Sequence, residues 1–142
     1  MNESAAREAF EQALGSYQQD FETFFLARLL GLEFFYTDDS CIIEMEVRDF
    51  MFNPQGSLHG GVVAMVMDIS MGHLLKRKGG AGATLEMKTQ FLKPVPVGRI
   101  SVTGSWLHSG RSVQFLRSEV RTADDTLAAF ATATWKALPK RG

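Results

Sequence analysis

Residues 61–75 form the feature that most constrains this chain, because this helix-length run carries almost no polar side chains. Its apolar members are Val62, Val63, Ala64, Met65, Val66, Met67, Ile69, Met71, Leu74 and Leu75. A helix that is apolar all round must be buried on most of its sides. We therefore predict a central helix from about residue 60 to residue 76, wrapped by the rest of the chain.

Strands dominate the C-terminal half. Residues 83–92 alternate between apolar and polar side chains, and this period of two is typical of a strand. On one face of it we expect Leu85, Met87, Thr89 and Phe91. Three more long strands are predicted at residues 99–108, 112–122 and 126–137. Long strands joined by short turns pair antiparallel.

Two shorter strands are predicted ahead of the central helix, at residues 32–37 and 41–48, followed by a loop at 49–58. The sequence thus favours an α+β fold in which one curved antiparallel sheet wraps around a long central helix. At 142 residues the chain is expected to form a single domain, residues 1–142.

An extra helix is predicted at the N-terminus, over residues 3–30, with Gly15 as a point where it could bend or split. Its apolar stripe consists of Phe10, Leu14, Tyr17, Phe21, Phe24 and Phe25. We expect this stripe to pack on the sheet. The alternative is a surface that faces lipid or a partner.

Composition excludes several classes of function. A net charge of −1 gives no reason to expect a nucleic-acid partner. The single cysteine, Cys41, excludes an internal disulfide and favours a reducing, cytoplasmic compartment. No secretory signal is recognised at the start of the chain. Charged residues interrupt the apolar stretch 21–36, which argues against a membrane span.

The start of the central helix combines groups that suit catalysis. Asn53 and His59 precede Gly60 and Gly61, and Asp68 follows eight residues after Gly60. A helix that starts on glycine offers free N–H groups and a positive dipole end, which can hold an oxyanion. Asp68 is a carboxylate in an otherwise apolar run, so it is either a catalytic group or a buried structural one capped by Asn53.

This pattern resembles the hotdog-fold acyl-CoA thioesterases, in particular the branch of the phenylacetic acid degradation pathway. The resemblance covers roughly residues 41–137 and leaves residues 1–31 as the variable N-terminal helical segment. It implies that the Gly60 N–H binds the thioester carbonyl oxygen and that Asp68 is the nucleophile or general base. It also implies that Asn53 and His59 orient the thioester and water, and that Thr84 holds that water or Asp68.

The spacing of Gly60 and Asp68 independently predicts a dimer. Eight residues of helix separate them by about 12 Å, at about 1.5 Å per residue. Reacting atoms must lie about 3–3.5 Å apart, so one helix cannot supply both groups to one site. A two-fold axis would bring Asp68 of one subunit to Gly60 of the other. We therefore expect a homodimer with two composite sites, paired into tetramers through the last strand.

Further residues are candidates for binding the coenzyme A part of the substrate. These are Gly61, Lys76, Arg77, Lys78 and Arg111. Cationic side chains suit nucleotide phosphates, although a basic run at a helix end is most often simply solvated and favourable to the helix dipole. The expected acyl group is aromatic or of medium length.

Neither a metal nor a cofactor is expected. The three histidines, His59, His73 and His108, stand at no ligand spacing, and a thioester is already activated for hydrolysis. We expect His73 to be structural or solvent-facing and His108 to end a strand. Two rival functions remain open: a hotdog-type dehydratase, and a non-catalytic acyl-CoA sensor or binding module.

Overall fold

One antiparallel sheet and one long helix account for most of the fold in the computed structural model, which describes residues 1–139. The helices are α1 (Glu3–Ser16), α2 (Phe25–Leu30) and α3 (Gly60–Arg77), with a short 3-10 turn at Asp49–Met51. The strands are β1 (Glu33–Tyr36), β2 (Ser40–Val47), β3 (Gly82–Phe91), β4 (Gly98–Ser109), β5 (Val113–Thr122) and β6 (Leu127–Ala137). Their order in the sheet is β1-β2-β4-β5-β6-β3. The predicted α+β architecture and central helix are confirmed.

The sheet covers one side of α3, and small residues allow the close approach. A Cβ on Gly104 in β4 would lie 2.7 Å from the Ser70 carbonyl, so only glycine fits at this crossing. The Ser70 hydroxyl is fully buried and lies 2.8 Å from the Ser118 hydroxyl of β5. Because both polar groups are paired, burying them between helix and sheet leaves no unsatisfied donor there.

The opposite side of α3 is not covered within the described chain. Half-exposed or exposed residues follow one another at spacings of three and four: Gly61, Met65, Asp68, Gly72 and Lys76. The edge strand β3 lies beside this open side of α3 and pairs with β6 alone within residues 1–139. Its exposed residues include Leu85 and Phe91. An open helix face next to an open strand edge is a surface that another chain can cover.

The prediction of one N-terminal helix over residues 3–30 is wrong. Helix α1 ends at Ser16, and residues 17–24, which we call the strap, are irregular before α2 begins. The backbone is already extended at Tyr17 (ψ 148°), and the Asp20 carboxylate then accepts the backbone N–H groups of Glu22 and Thr23 at 3.1 and 2.8 Å. Such local side-chain bonds compete with the helical ladder. Gly15 lies inside α1 and does not break it.

The expected packing of the N-terminal apolar stripe on the sheet is also wrong for most of its members. Phe10, Leu14, Tyr17 and Phe21 are 40–48% exposed. Helix α1 instead packs through Ala9 and Ala13 and makes its main contacts with α2. No helix within residues 1–139 has the length and apolar character needed to cross a bilayer.

Candidate active site

Asp68 and Thr84 form a hydrogen-bonded pair on the open side of α3. The Thr84 hydroxyl donates to Asp68 Oδ1 at 2.7 Å. Asp68 is half-buried and Thr84 is exposed, so the carboxylate is reachable from solvent. Within the described residues no other donor contacts the carboxylate. One oxygen is therefore held in place while the other remains free to accept a proton.

A β-bulge in β3 makes this pair possible. The register of β3 against β6 pairs Thr84 with Trp135 and Glu86 with Thr134, so Leu85 is an extra residue. The alternation predicted Leu85 on the face of Met87, and a strict continuation of it would put Thr84 on the opposite face. Because side chains alternate with a period of two, the extra residue Leu85 moves the side chains of the residues before it to the other face of the sheet. Thr84 therefore lies on the face that points to α3.

Gly60 supplies a free backbone donor at the start of α3. His59 is the N-cap, and its Nδ1 accepts the Gly61 N–H at 2.9 Å. The His59 carbonyl accepts the N–H groups of Val62 and Val63. Among the residues described, the Gly60 N–H donates to no acceptor. The capping pattern thus leaves one unpaired N–H at a positive helix end, which suits an anion.

Asn53 organises the loop that leads into α3. Its Oδ1 accepts the backbone N–H groups of Gln55 and Ser57 at 2.9 and 3.3 Å, and its Nδ2 donates to the Ser57 hydroxyl. Asn53 also lines the same cleft as Gly60, which we call the Gly60 cleft, about 280 Å³ in volume. The structure therefore brings Asn53 and Gly60 together, with His59 exposed beside them.

A second cleft of about 430 Å³, the Asp68 cleft, lies beside the middle of α3. Its lining from α3 and the sheet includes Asp68, Thr84, Gly72, Ile69 and Trp135. The strap contributes a wall that periodicity alone did not predict: Gln19, Asp20, Phe21 and Phe24. The only sequence signal for this wall is the Asp20-to-Thr23 turn pattern. The predicted site residues thus fall into two clefts of one chain.

The predicted coenzyme A-binding residues lie outside both clefts, except that Gly61 is adjacent to Gly60. Lys76, Arg77 and Lys78 end α3, and their charged groups lie over the rings of Phe21, Tyr36 and Trp106. Such cation–π contacts hold the charges at the surface. Arg111 is exposed in the turn between β4 and β5. The Gly61 N–H is engaged by His59.

Cysteine and metal chemistry find little support among residues 1–139. Burial raises the pKa of the Cys41 thiol to about 12, so this side chain stays protonated and unreactive at neutral pH. No three His, Cys, Asp or Glu side chains of the described chain gather as potential metal ligands. His108 is exposed near the end of β4.

His73 is structural rather than solvent-facing. The ring is buried, stacks on Phe34 at 4.5 Å and lies edge-on to Phe21. Its two nitrogens contact the carbonyl oxygens of Ile69 and Phe21. His73 therefore anchors the strap to α3.

Stability should fall as the pH drops below about 6.5, the ordinary pKa of histidine. Burial lowers the pKa of His73, and the two carbonyl contacts only partly oppose this. The unfolded chain then binds a proton at a pH where the folded chain does not, so acid favours unfolding. Thermal melts between about pH 7.5 and about pH 5 test this. The fall in melting temperature between these pH values should be smaller in His73→Gln than in wild type, and in His108→Gln it should equal that of wild type. Equal falls in all three proteins would contradict the role of His73.

Comparison with known proteins adds to this geometry. A sequence model of the thioesterase superfamily matches residues 55–129. The medium/long-chain acyl-CoA thioesterase YigI of Salmonella typhimurium is 28% identical over 97 residues, which cover 57% of this chain and 63% of that protein. The matched part spans between about half and two thirds of several curated relatives.

Two solved structures share the architecture. The protein smu.793 of Streptococcus mutans, solved with bound acetyl-CoA, superposes with a TM-score of 0.74 at 25% identity, covering 78% of this chain and 91% of that one. The E. coli PaaI protein of the phenylacetic acid degradation operon gives a TM-score of 0.80 at 20% identity, covering 92% and 96%. The predicted hotdog fold is confirmed by this likeness.

Proposed function

The chain belongs to the thioesterase superfamily, and from this premise we propose that it hydrolyses an acyl-CoA thioester to a free acid and coenzyme A. The observation that carries the proposal is the division of the site along α3. A free N–H at Gly60 lies at the start of the open side, and the Asp68–Thr84 pair lies at its middle. About 12 Å of helix separates them.

We propose that two copies of the chain complete each site. If the open sides of two α3 helices face each other antiparallel across a two-fold axis, Gly60 of one copy lies next to Asp68 of the other. The half-exposed stripe on α3 and the free edge of β3 would be covered in the same step. The proposed dimer thus covers the open side of α3 and the edge of β3, and it also brings the Gly60 N–H and the Asp68 carboxylate into one site.

The reaction follows from the groups at the composite site. The thioester carbonyl oxygen accepts the Gly60 N–H, and Asp68 of the other copy removes a proton from water as the water oxygen attacks the carbonyl carbon. The oxyanion of the tetrahedral intermediate stays on the Gly60 N–H. When the C–S bond breaks, the coenzyme A thiolate leaves and takes up a proton. Thr84 keeps the Asp68 carboxylate aimed at the water.

Asp68 could instead attack the carbonyl carbon itself. That route expels the coenzyme A thiolate and leaves a mixed anhydride between Asp68 and the acyl group, which water then hydrolyses. Only this route forms a covalent intermediate, so trapping the anhydride with hydroxylamine during a single turnover, which converts Asp68 to a hydroxamate, identifies Asp68 as a nucleophile, and a single turnover that yields free acid with no trapped enzyme identifies it as a general base. The acyl-CoA binding module, as the rival function, predicts binding of thioesters without release of thiol.

Activity should return when two inactive variants are combined. Asp68→Asn and Gly60→Pro each remove one half of every site. When the two are denatured together and refolded, half of the dimers are mixed, and one site in each mixed dimer has both groups. Thiol release should recover to about a quarter of the wild-type value, as two-fold symmetry with random pairing requires.

Wild-type protein taken through the same cycle provides the control, and light scattering gives the number of chains per particle. A mixture that stays inactive while wild type recovers would mean that each site lies within one chain. An active enzyme that light scattering shows to be monomeric would also mean that each site lies within one chain.

A further inference from the structure

We propose that the Asp68 cleft holds the acyl group of the substrate, and that the strap, residues 17–24, determines which acyl groups fit. This inference rests on the proposed hydrolysis and assigns a substrate-selecting role to a segment outside the family match, which begins at residue 55. The acyl group would be compact, of ring or short-chain size, rather than a long straight chain.

The chemistry of the cleft walls supports an apolar occupant. The large apolar side chains of the lining are Phe21 and Phe24 of the strap, Ile69 of α3 and Trp135 of β6. The Asp68–Thr84 pair lines the same cleft, so an apolar group bound there would have its carbonyl carbon near the catalytic carboxylate. Pockets for small molecules combine such apolar walls with a few convergent polar groups.

The Trp135 indole forms a buried part of the cleft wall. A Cβ on Gly72 would lie 2.9 Å from this ring, so the indole packs directly on the helix backbone. A Cβ on Gly82 would lie 3.2 Å from the same ring, so the indole also packs on β3. We infer that this close-packed wall limits the length of the acyl group.

The strap is fastened firmly enough to act as a wall. His73 binds the Phe21 carbonyl, and Lys76 lies over the Phe21 ring at 5.2 Å. The Tyr36 hydroxyl donates to the Glu22 carboxylate at 2.9 Å. Within the strap, the Gln18 N–H donates to the Thr23 carbonyl at 2.9 Å. These contacts join the strap to α3 and to β1.

The Gly60 cleft suits the other part of the substrate. Its lining includes the polar side chains of Asn53, Gln55 and Ser57 and the cation of Lys93. The rest of its lining is apolar and includes Phe91, Leu92 and Val95. The polar and cationic groups match the amide-containing pantetheine arm and the phosphates of coenzyme A. Across the proposed two-fold axis, the Gly60 cleft of one copy adjoins the Asp68 cleft of the other. The thioester would then lie at the junction between an apolar and a polar half.

Shortening the strap side chains should shift acyl preference towards longer chains. We compare kcat/KM for benzoyl-CoA and for straight-chain acyl-CoAs from acetyl to palmitoyl, in wild type, Phe24→Ala and Phe21→Ala. The ratio of kcat/KM for long-chain substrates to that for compact substrates should rise about tenfold or more, because even one methylene group in an apolar pocket changes specificity by about 10–200-fold. Phe21→Ala changes a 40% exposed side chain and so provides a folded variant if Phe24→Ala is unstable.

Phe35→Ala is the matched control, because it removes the same side chain from an exposed position on β1 outside both clefts. In Phe35→Ala, the ratio of kcat/KM for long-chain to compact substrates should equal that of wild type. If the strap variants hydrolyse thioesters with the wild-type ratio, or if only Phe91→Ala in the Gly60 cleft shifts it, the acyl group lies elsewhere. Absence of hydrolysis by wild type with every thioester would contradict the proposed function itself.

Discussion

Asp68→Asn should lower kcat for thioester hydrolysis by about 10²–10⁴-fold, the range that a positioned general base contributes. The amide has nearly the same shape, and its oxygen can still accept the Thr84 hydroxyl that donates to Asp68 at 2.7 Å. The fold and the affinity for substrate should therefore persist while proton removal is lost. Thiol release with a series of acyl-CoAs measures kcat, and a non-hydrolysable thioether analogue measures binding.

Glu86→Gln is the matched control for this change. Glu86 lies on the same strand two residues beyond Thr84, is exposed, and pairs with Thr134 beyond the bulge. Loss of its carboxylate should leave kcat unchanged. If Asp68→Asn also releases thiol at the wild-type rate, Asp68 is a structural carboxylate. If wild type binds the analogue but releases no thiol, the chain is a binding module.

Gly60→Pro should lower kcat by about 10²–10³-fold, corresponding to about 2.7–4 kcal/mol for the loss of one oxyanion donor. Proline removes the N–H and little else here. Gly60 is the first residue of α3, where proline is well tolerated. His59 already has φ −59° and ψ 131°, the extended backbone that precedes proline.

Gly60→Ala separates the N–H from the added bulk. Its Cβ would contact the Phe91 ring at 3.3 Å, as a proline Cβ would, but its N–H remains. Alanine should therefore retain most of the activity that proline loses, with similar melting temperatures for the two variants. Equal kcat values for Gly60→Pro and Gly60→Ala would show that the Gly60 N–H does not hold the oxyanion.

The N-terminal segment shows why a periodic pattern can mislead. The spacing of its aromatic residues suits one helix, but α1 ends at Ser16, and the Asp20 carboxylate holds the following segment in a turn by accepting two backbone N–H groups. A local hydrogen bond of this kind outweighs a weak helix propensity. The resulting strap places Phe21 and Phe24 at the Asp68 cleft. The prediction of a single helix had instead placed these two side chains against the sheet.

The β3 bulge shows the same limit within a sheet. The alternation in residues 83–92 predicted the strand to within one residue, yet it did not reveal that Leu85 is an extra residue. Thr84 reaches Asp68 only because β6 pairs with β3 around the extra residue Leu85. Pairing with a strand more than forty residues away decides this, so no local pattern in residues 83–92 contains it.

By itself, the sequence determined the central helix, the strands and the separation of Gly60 from Asp68. These follow from side-chain periodicity and from a fixed helical rise, which depend on neighbouring residues. The family resemblance suggested a role for Thr84, and the glycine start suggested free N–H groups. Only the tertiary structure decided how a bulge brings Thr84 to Asp68, which N–H is left unpaired, and that the strap lines the Asp68 cleft. These depend on contacts between segments distant in the chain or on the exact path of the backbone, and local propensity does not encode them.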